Sequence, residues 1–314
     1  PQYYGGVTRV ILDPAKLAHD FKRGREAKSS AIVGSNYVLA GTDRNCGGGP
    51  VKDGWISCEE SSEPKHGYSF LTSIHDEGLV KPRRLDSWGR LHREAVALDP
   101  VTGVAYMTED RWDGLFYRHV PADPKKPFGA GRLQALKISG LKTTDPYPEP
   151  TGNKSAKPRW RNGHTWAASW VDISDPSAKK QPCRDQGHDL EATRFMRGEG
   201  IAWDGRGAWF TASLGGPQKA GQVFRYVPDA KDPKVGKLIL CYEVTDRSVL
   251  SCPDNAATTP WGDVILAEDN YRIGGGATHQ YVRGLTAGGR VYDIVRNRHP
   301  GIARKRAGAE FAGI

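Results

Sequence analysis

Four segments of the chain repeat one arrangement: a residue able to bind a metal, a hydrophobic run broken by a turn, and an acid or hydroxyl about fourteen residues later. They run from Cys46 to Glu59-Glu60, from Glu94 to Glu109-Asp110, from Glu199 to Ser213, and from Asp254-Asn255 to Glu268-Asp269. Carboxylates delivered to one place repel unless they are protonated or bind a cation. Oxygen donors suit a hard cation, Ca2+ above all, and the lone thiolate of Cys46 among them adds a transition metal. A single acid at a hairpin end is ordinarily a turn residue or a solvated cap. A set in register across four repeats points to a site instead. Cys46 is flanked by Asn45 and by Gly47-Gly48-Gly49, where missing side chains let the backbone approach a bound group. Arg197, two residues before Glu199, offers a forked donor to a phosphate or carboxylate.

Other chemistries lack their residues. The nine histidines form no H-E-x-x-H pattern, neither a G-x-S-x-G elbow nor a Walker loop occurs, and Gly274-Gly275-Gly276 reads as a loop. The five cysteines are an odd count without C-x-x-C spacing, which argues against a zinc knuckle; Cys241 and Cys252 are the nearest pair for a disulfide in an exported protein. The net charge of +9 favours anionic partners such as phosphate compounds. Lys and Arg are scattered apart from Arg83-Arg84, Lys125-Lys126 and Arg304-Lys305-Arg306, without the basic stripe and interleaved aromatics of a specific nucleic-acid binder. No apolar run approaches the roughly eighteen residues of a membrane-spanning helix.

The elements that must position these residues are strands. With 38 Gly, 21 Pro and nine Trp, the composition suits short strands and tight turns. Ala95–Leu98, the turn Asp99-Pro100-Val101-Thr102-Gly103 and Val104–Met107 read as strand, turn, strand, and Ile201–Trp203, Asp204–Gly207 and Ala208–Phe210 repeat it. Thr259–Asp263 leads into Val264–Leu266 in the same way. An outer element recurs as well: Gly114–Pro121 matches Gly221–Pro228, with a weaker echo at Gly289–Ile294. A period near fifty with about four strands per unit predicts an all-β fold, a β-propeller of about six blades forming one domain over 1–314. The unit without a visible signature is expected in 140–190, a loop-rich stretch that inserts over one face. A β-sandwich is the alternative, but it does not explain acids returning at one position per unit. In a propeller the inner strands converge on a channel, so Cys46, Glu94, Glu199 and Asp254 form one ring, and Glu59, Glu60, Glu109, Asp110, Glu268 and Asp269 a second.

The same residues carry a family resemblance. Gly41-Thr42 to Asn45-Cys46-Gly47-Gly48-Gly49, Ser57-Cys58-Glu59-Glu60, Glu94–Gly103, Thr108-Glu109-Asp110 and Gly114–Arg118 occur in order. Arg197 to Ile201, Gly221–Tyr226, Pro253-Asp254-Asn255, Ala267–Asn270 and Arg283–Thr286 follow. Together they resemble the PhoX-type alkaline phosphatases. The resemblance implies a six-bladed propeller with calcium ions beside a pair of iron(III) ions bridged by one cysteine sulfur. Cys46 would be that bridge, and Glu94 and Glu199 iron or calcium carboxylates. Glu59, Glu60, Glu109, Asp110, Asp254, Asn255, Glu268 and Asp269 would be candidates for the calcium shell, and Arg197 would hold the phosphate oxygens. The implied reaction is hydrolysis of small phosphate monoesters by a monomeric, periplasmic or extracellular enzyme, with the cations neutralising developing charge.

This chain departs from the pattern in places. Pro50–Trp55 is one residue shorter than its counterpart, Gly198 replaces a frequent Pro, and Arg93 replaces a frequent His. The sequence also opens inside the pattern and stops at Glu310–Gly313, before one expected strand, so a trimmed or compact member is expected. A calcium-dependent propeller hydrolase of the lactonase or phosphodi- or triesterase type is the second reading, and Cys46 argues against it. A non-catalytic metal-binding propeller is the third.

Overall fold

The structure is a computed structural model that describes residues 5–22, 31–145, 158–269, 280–297, 311 and 314. The loop 146–150, Asn270, Gly274–Gly276, Arg304–Arg306 and 310, 312 and 313 lie outside the described residues. Strand β1 (Gly5–Leu12), helix α1 (Pro14–Lys22) and strand β2 (Ile32–Thr42) come first, with β1 and β2 paired antiparallel.

Four antiparallel four-stranded meanders follow, the architecture of propeller blades. The first holds β3 (Asn45–Val51), β4 (Gly54–Glu59), β5 (Ser69–Ser73) and β6 (Arg83–Arg84); the second holds β7 (Arg93–Leu98), β8 (Ala105–Glu109), β9 (Gly114–Pro121) and β10 (Gly131–Lys137). Strand β11 (Thr165–Asp172), helix α2 (Cys183–Asp189) and the short β12 (Arg194–Phe195) intervene. The third blade comprises β13 (Gly198–Trp203), β14 (Ala208–Ala212), β15 (Gln222–Pro228) and β16 (Val235–Glu243), and the fourth β17 (Pro253–Thr258), β18 (Val264–Glu268), β19 (Tyr281–Leu285) and β20 (Val291–Arg296).

The turns form where side-chain chemistry replaces backbone partners. Asp99 accepts from the Val101 amide and the Thr102 hydroxyl, and Asp204 accepts from the Arg206 and Gly207 amides, so each hairpin is closed by an Asx-type turn.

The expectation for 140–190 is corrected. Its described residues contain one strand and one helix, not a further four-stranded repeat unit. Strand β11 pairs with β10 on one side and β16 on the other, joining the outer edges of the second and third blades. Between those blades lies an aromatic core: the Phe116 and Phe210 rings stack at 4.2 Å, and Tyr106 stacks on Trp203 at 5.6 Å. The disulfide that spacing allowed is also absent, since all five cysteines are free thiols.

Close approach of the inner strands β3, β7, β13 and β17 depends on glycine. A Cβ on Gly49 would lie 1.9 Å from the Val96 carbonyl oxygen, and one on Gly200 would lie 2.4 Å from the Ala256 nitrogen. Threonines on the second strands hold neighbouring blades in register. The Thr108 hydroxyl donates to the Glu199 carbonyl, and the Thr211 hydroxyl donates to the Asp254 carbonyl at 2.7 Å.

Candidate metal centre

The four blades start alike. The amides of Glu60, Asp110, Ser213 and Asp269 donate to the carbonyls of Arg44, His92, Arg197 and Cys252 at 3.0, 3.1, 2.9 and 3.0 Å. Two residues beyond each acceptor come Cys46, Glu94, Glu199 and Asp254, so the equivalence read from spacing holds in the hydrogen bonding. Each inner strand then carries a register shift against its partner, between Cys46 and Gly49, Arg93 and Val96, Gly198 and Ile201, and Pro253 and Ala256. A bulge re-aims the side chain beside it. Three of the four acceptors, Arg44, Arg197 and Cys252, also sit at left-handed φ of 47°, 55° and 46°. Such strain in non-glycine residues persists only where the surrounding structure fixes it.

The result is a continuous cluster. Potential ligand atoms of Cys46, Glu60 and Glu94 lie within 4.8 Å of one another, and so do those of Glu94, Glu199 and Asp254. Glu94 is shared between the two groups. Its Oε1 accepts from Cys46 Sγ at 3.0 Å and from the Gly47 amide at 3.3 Å. Arg197 flanks the cluster, with Nε and Nη2 forking onto Asp110 at 2.7 and 2.8 Å and Nη2 3.0 Å from Glu199 Oε1. The Ser213 hydroxyl donates to the same Glu199 oxygen at 2.6 Å. Asn255 donates to Asp254 at 3.0 Å.

Burial and mutual repulsion favour the neutral forms here. Burial, then the charges of Glu199 and Glu60, push Glu94 well above the usual carboxylate range. Glu199 is raised by burial, Asp254 and Asp110, and Asp254 by burial, Glu94 and Asp269. Glu60 is pushed up to about 7 by burial and the neighbouring Asp110. Burial and Glu94 raise the Cys46 thiol above its ordinary value. Burial works against the Arg197 charge, but its hydrogen bond to Asp110 and the charge of Glu199 hold the guanidinium above its ordinary value.

The second acid position divides. Glu59 accepts from the Asp43, Gly67 and Tyr68 amides and pairs with His66 Nδ1 at 2.7 Å. Glu109 takes the Leu115 amide, the Tyr117 hydroxyl and Arg184. Glu268 takes the Ser251 and Tyr281 amides and Arg283. These three carboxylates are taken up by structural partners and fall outside both ligand groups. The next residues, Glu60, Asp110 and Asp269, bear on the cluster instead. Period-two alternation along a strand separates such neighbours.

Sequence reasoning passed over Arg44 and His92. Both stand two residues before a cluster member, as Arg197 does, and that spacing was the available signal. His92 Nδ1 lies 3.4 Å from Glu60 Oε1, and burial followed by the charge of Arg111 lowers this imidazole to about 4. Along the inner strands a cavity of about 500 Å³ extends from Gly47 and Asn255 toward the hairpin turns.

The donor chemistry fits metal ions: carboxylates that repel one another, with a thiol in reach of one of them. Fold and site together define an all-β, propeller-like chain with an acid and thiol cluster at the convergence of its inner strands. The chain belongs to the alkaline phosphatase PhoX family, whose model matches residues 22–314. Among solved structures, PhoX of Pseudomonas fluorescens in complex with vanadate, a transition state analogue, is similar at 16% identity and a TM-score of 0.61. That similarity covers 82% of this chain and 61% of the other, so the match spans less than two thirds of that protein. A gluconolactonase of Xanthomonas campestris, with 11% identity over 83% of this chain and 65% of that one, has a TM-score of 0.39. A search of curated proteins returned no match.

Proposed function

We propose that the chain is a metal-dependent phosphatase that hydrolyses small phosphate monoesters at a calcium and iron cluster between its inner strands. The observation that carries this reading is Glu94, shared between a thiol-containing ligand group and an all-carboxylate one. The thiol group, Cys46 with Glu60 and Glu94, suits iron; Glu94, Glu199 and Asp254 suit calcium, with Asn255, Asp110 and Asp269 around them. Glu59, Glu109 and Glu268 hold the strands that present these ligands. When bound, the ions supply positive charge against phosphoryl oxygens and activate the attacking water.

The protein's own part is positioning. Arg197 is fixed by Asp110 and Glu199 through Nε and Nη2, and its Nη1 makes no hydrogen bond among the described residues. A guanidinium locked in this way gives an anion a donor that need not reorganise. The family membership and the vanadate bound by the Pseudomonas fluorescens relative support a phosphoryl substrate. A monomer working in the periplasm or outside the cell completes the reading.

Aryl phosphate turnover and element analysis on the same preparation test it. Turnover with both iron and calcium is expected, and Arg197→Met raises KM with little change in metal content. Active protein with calcium and no iron would overturn the proposal in favour of a calcium-dependent hydrolase. Metal occupancy with no turnover between about pH 6 and 10 would leave a binding module.

A further inference from the structure

Arg44 is the repeat counterpart of Arg197. Both offer their carbonyls to the residue closing the second strand of their blade, both have left-handed φ, and both precede a cluster member by two residues. The other two blades place His92 and Cys252 there, neither of them a permanent cation. The two arginines differ in how they are held. Arg197 is forked onto Asp110 and also pairs with Glu199. Arg44 only approaches Glu60, with Nη2 3.6 Å from Oε1, and its side chain is 54% exposed. Its guanidinium makes no hydrogen bond among the described residues, so only this loose pairing with Glu60 competes with an incoming oxyanion. A loose, exposed ion pair contributes little to stability, whereas a guanidinium meeting a phosphoryl group forms charge-assisted, forked hydrogen bonds.

We propose that Arg44 is a second anion-binding residue of this site, turning from Glu60 onto the oxygens of a bound phosphate monoester while Arg197 stays fixed. The proposal rests on the phosphatase reading. One arginine then supplies a preset donor and the other a donor that engages only when the dianion is present.

Calorimetric titration of the metal-loaded protein with inorganic phosphate tests it. Arg44→Gln is expected to weaken phosphate binding by about tenfold or more, and Arg44→Lys by less, because the ammonium keeps charge but loses the fork. Iron and calcium contents are expected to match the parent in both variants. Parent-like affinity in Arg44→Gln would overturn the role, and so would reduced metal content, which would make Arg44 a counter-charge for Glu60. Should Arg44→Gln not fold, Arg44→Lys decides: affinity weakened at full metal content supports the role, and unchanged affinity overturns it. A parent that binds no phosphate would instead overturn the phosphatase reading.

Discussion

Cys46 Sγ lies 3.0 Å from Glu94 Oε1, although the two residues are 48 apart in the chain. Both are half or fully buried; the Glu94 carboxylate makes the Cys46 thiol harder to ionise, while the hydrogen bond from the thiol favours the ionised carboxylate. Such a pair is costly as two anions and stable with a proton between them. A bound cation would replace that proton, so metal uptake releases protons and strengthens as pH rises.

Replacing that thiol separates the two ligand groups. Cys46→Ser keeps a hydroxyl that can still donate to Glu94 but removes the soft donor. Iron content is expected to fall to background while calcium at Glu94, Glu199 and Asp254 persists. Phosphatase activity should drop by at least about 100-fold, more than the loss of a supporting contact brings. Element analysis, activity and circular dichroism on one sample check this, and retained iron would remove Cys46 from the ligand set.

Packing of the inner strands gives a second expectation. A methyl on Gly200 meets the Ala256 nitrogen at 2.4 Å and the Asn255 Cα at 2.6 Å, so β13 and β17 must part. Gly200→Ala is expected to cost about 2 kcal/mol and to weaken calcium retention, because Asp254 lies on the displaced strand. Gly78→Ala, where nothing lies within 4 Å, is the control and should melt like the parent. Equal melting temperatures for the two variants would show that the strands have room to spare.

The sequence made the inner hairpins legible because Asp99, Asp204 and the flanking alternation act locally. It made the cluster legible because one backbone pattern places Cys46, Glu94, Glu199 and Asp254 alike. Two things were hidden. Strand β11 depends on partners far away in sequence, β10 and β16, and no local period announces that it joins two blades. Which acid of Glu59-Glu60 or Glu109-Asp110 faces the cluster was also hidden, because the adjacent carboxylates differ only in the side of the strand from which they leave. Amides further along the chain, Gly67 in the loop after β4 and Leu115 in β9, then claim Glu59 and Glu109.

A buried acid away from the cluster sets a pH dependence. Glu243 is pushed up to about 7, chiefly by burial, with Asp145 adding to it and the Gln222 amide opposing. Its folded value lies above its unfolded value of 4.5, so the folded state holds the proton longer. Stability from this group is therefore full below about 4.5 and is lost as pH rises toward 7. Glu243→Gln should flatten that loss, gaining on the order of 2 kcal/mol at pH 8 and little at pH 4. Thermal melts in calcium-containing buffer at both pH values measure it, and an equal gain at both would assign the effect to packing.

The last expectation sets function against stability. In metal-free protein, Glu94 is a buried acid within reach of Glu60, Glu199 and Asp254, and its ionisation is opposed by burial and by the charges of Glu199, Glu60 and Asp110. Glu94→Gln removes the ionisable group, and with it the cost of keeping that group protonated or ionised at pH 8, yet keeps an oxygen for the Cys46 thiol and the Gly47 amide. After chelation, Glu94→Gln should therefore melt higher than the parent, by the equivalent of about 1–3 kcal/mol at pH 8. With iron and calcium present the order should invert, because the parent gains binding energy that the variant cannot. Melting curves of both proteins, chelated and metal-loaded, give the four values needed. If the chelated variant melts below the parent, Glu94 is holding the fold through Cys46 and Gly47, and its carboxylate is not there for a cation.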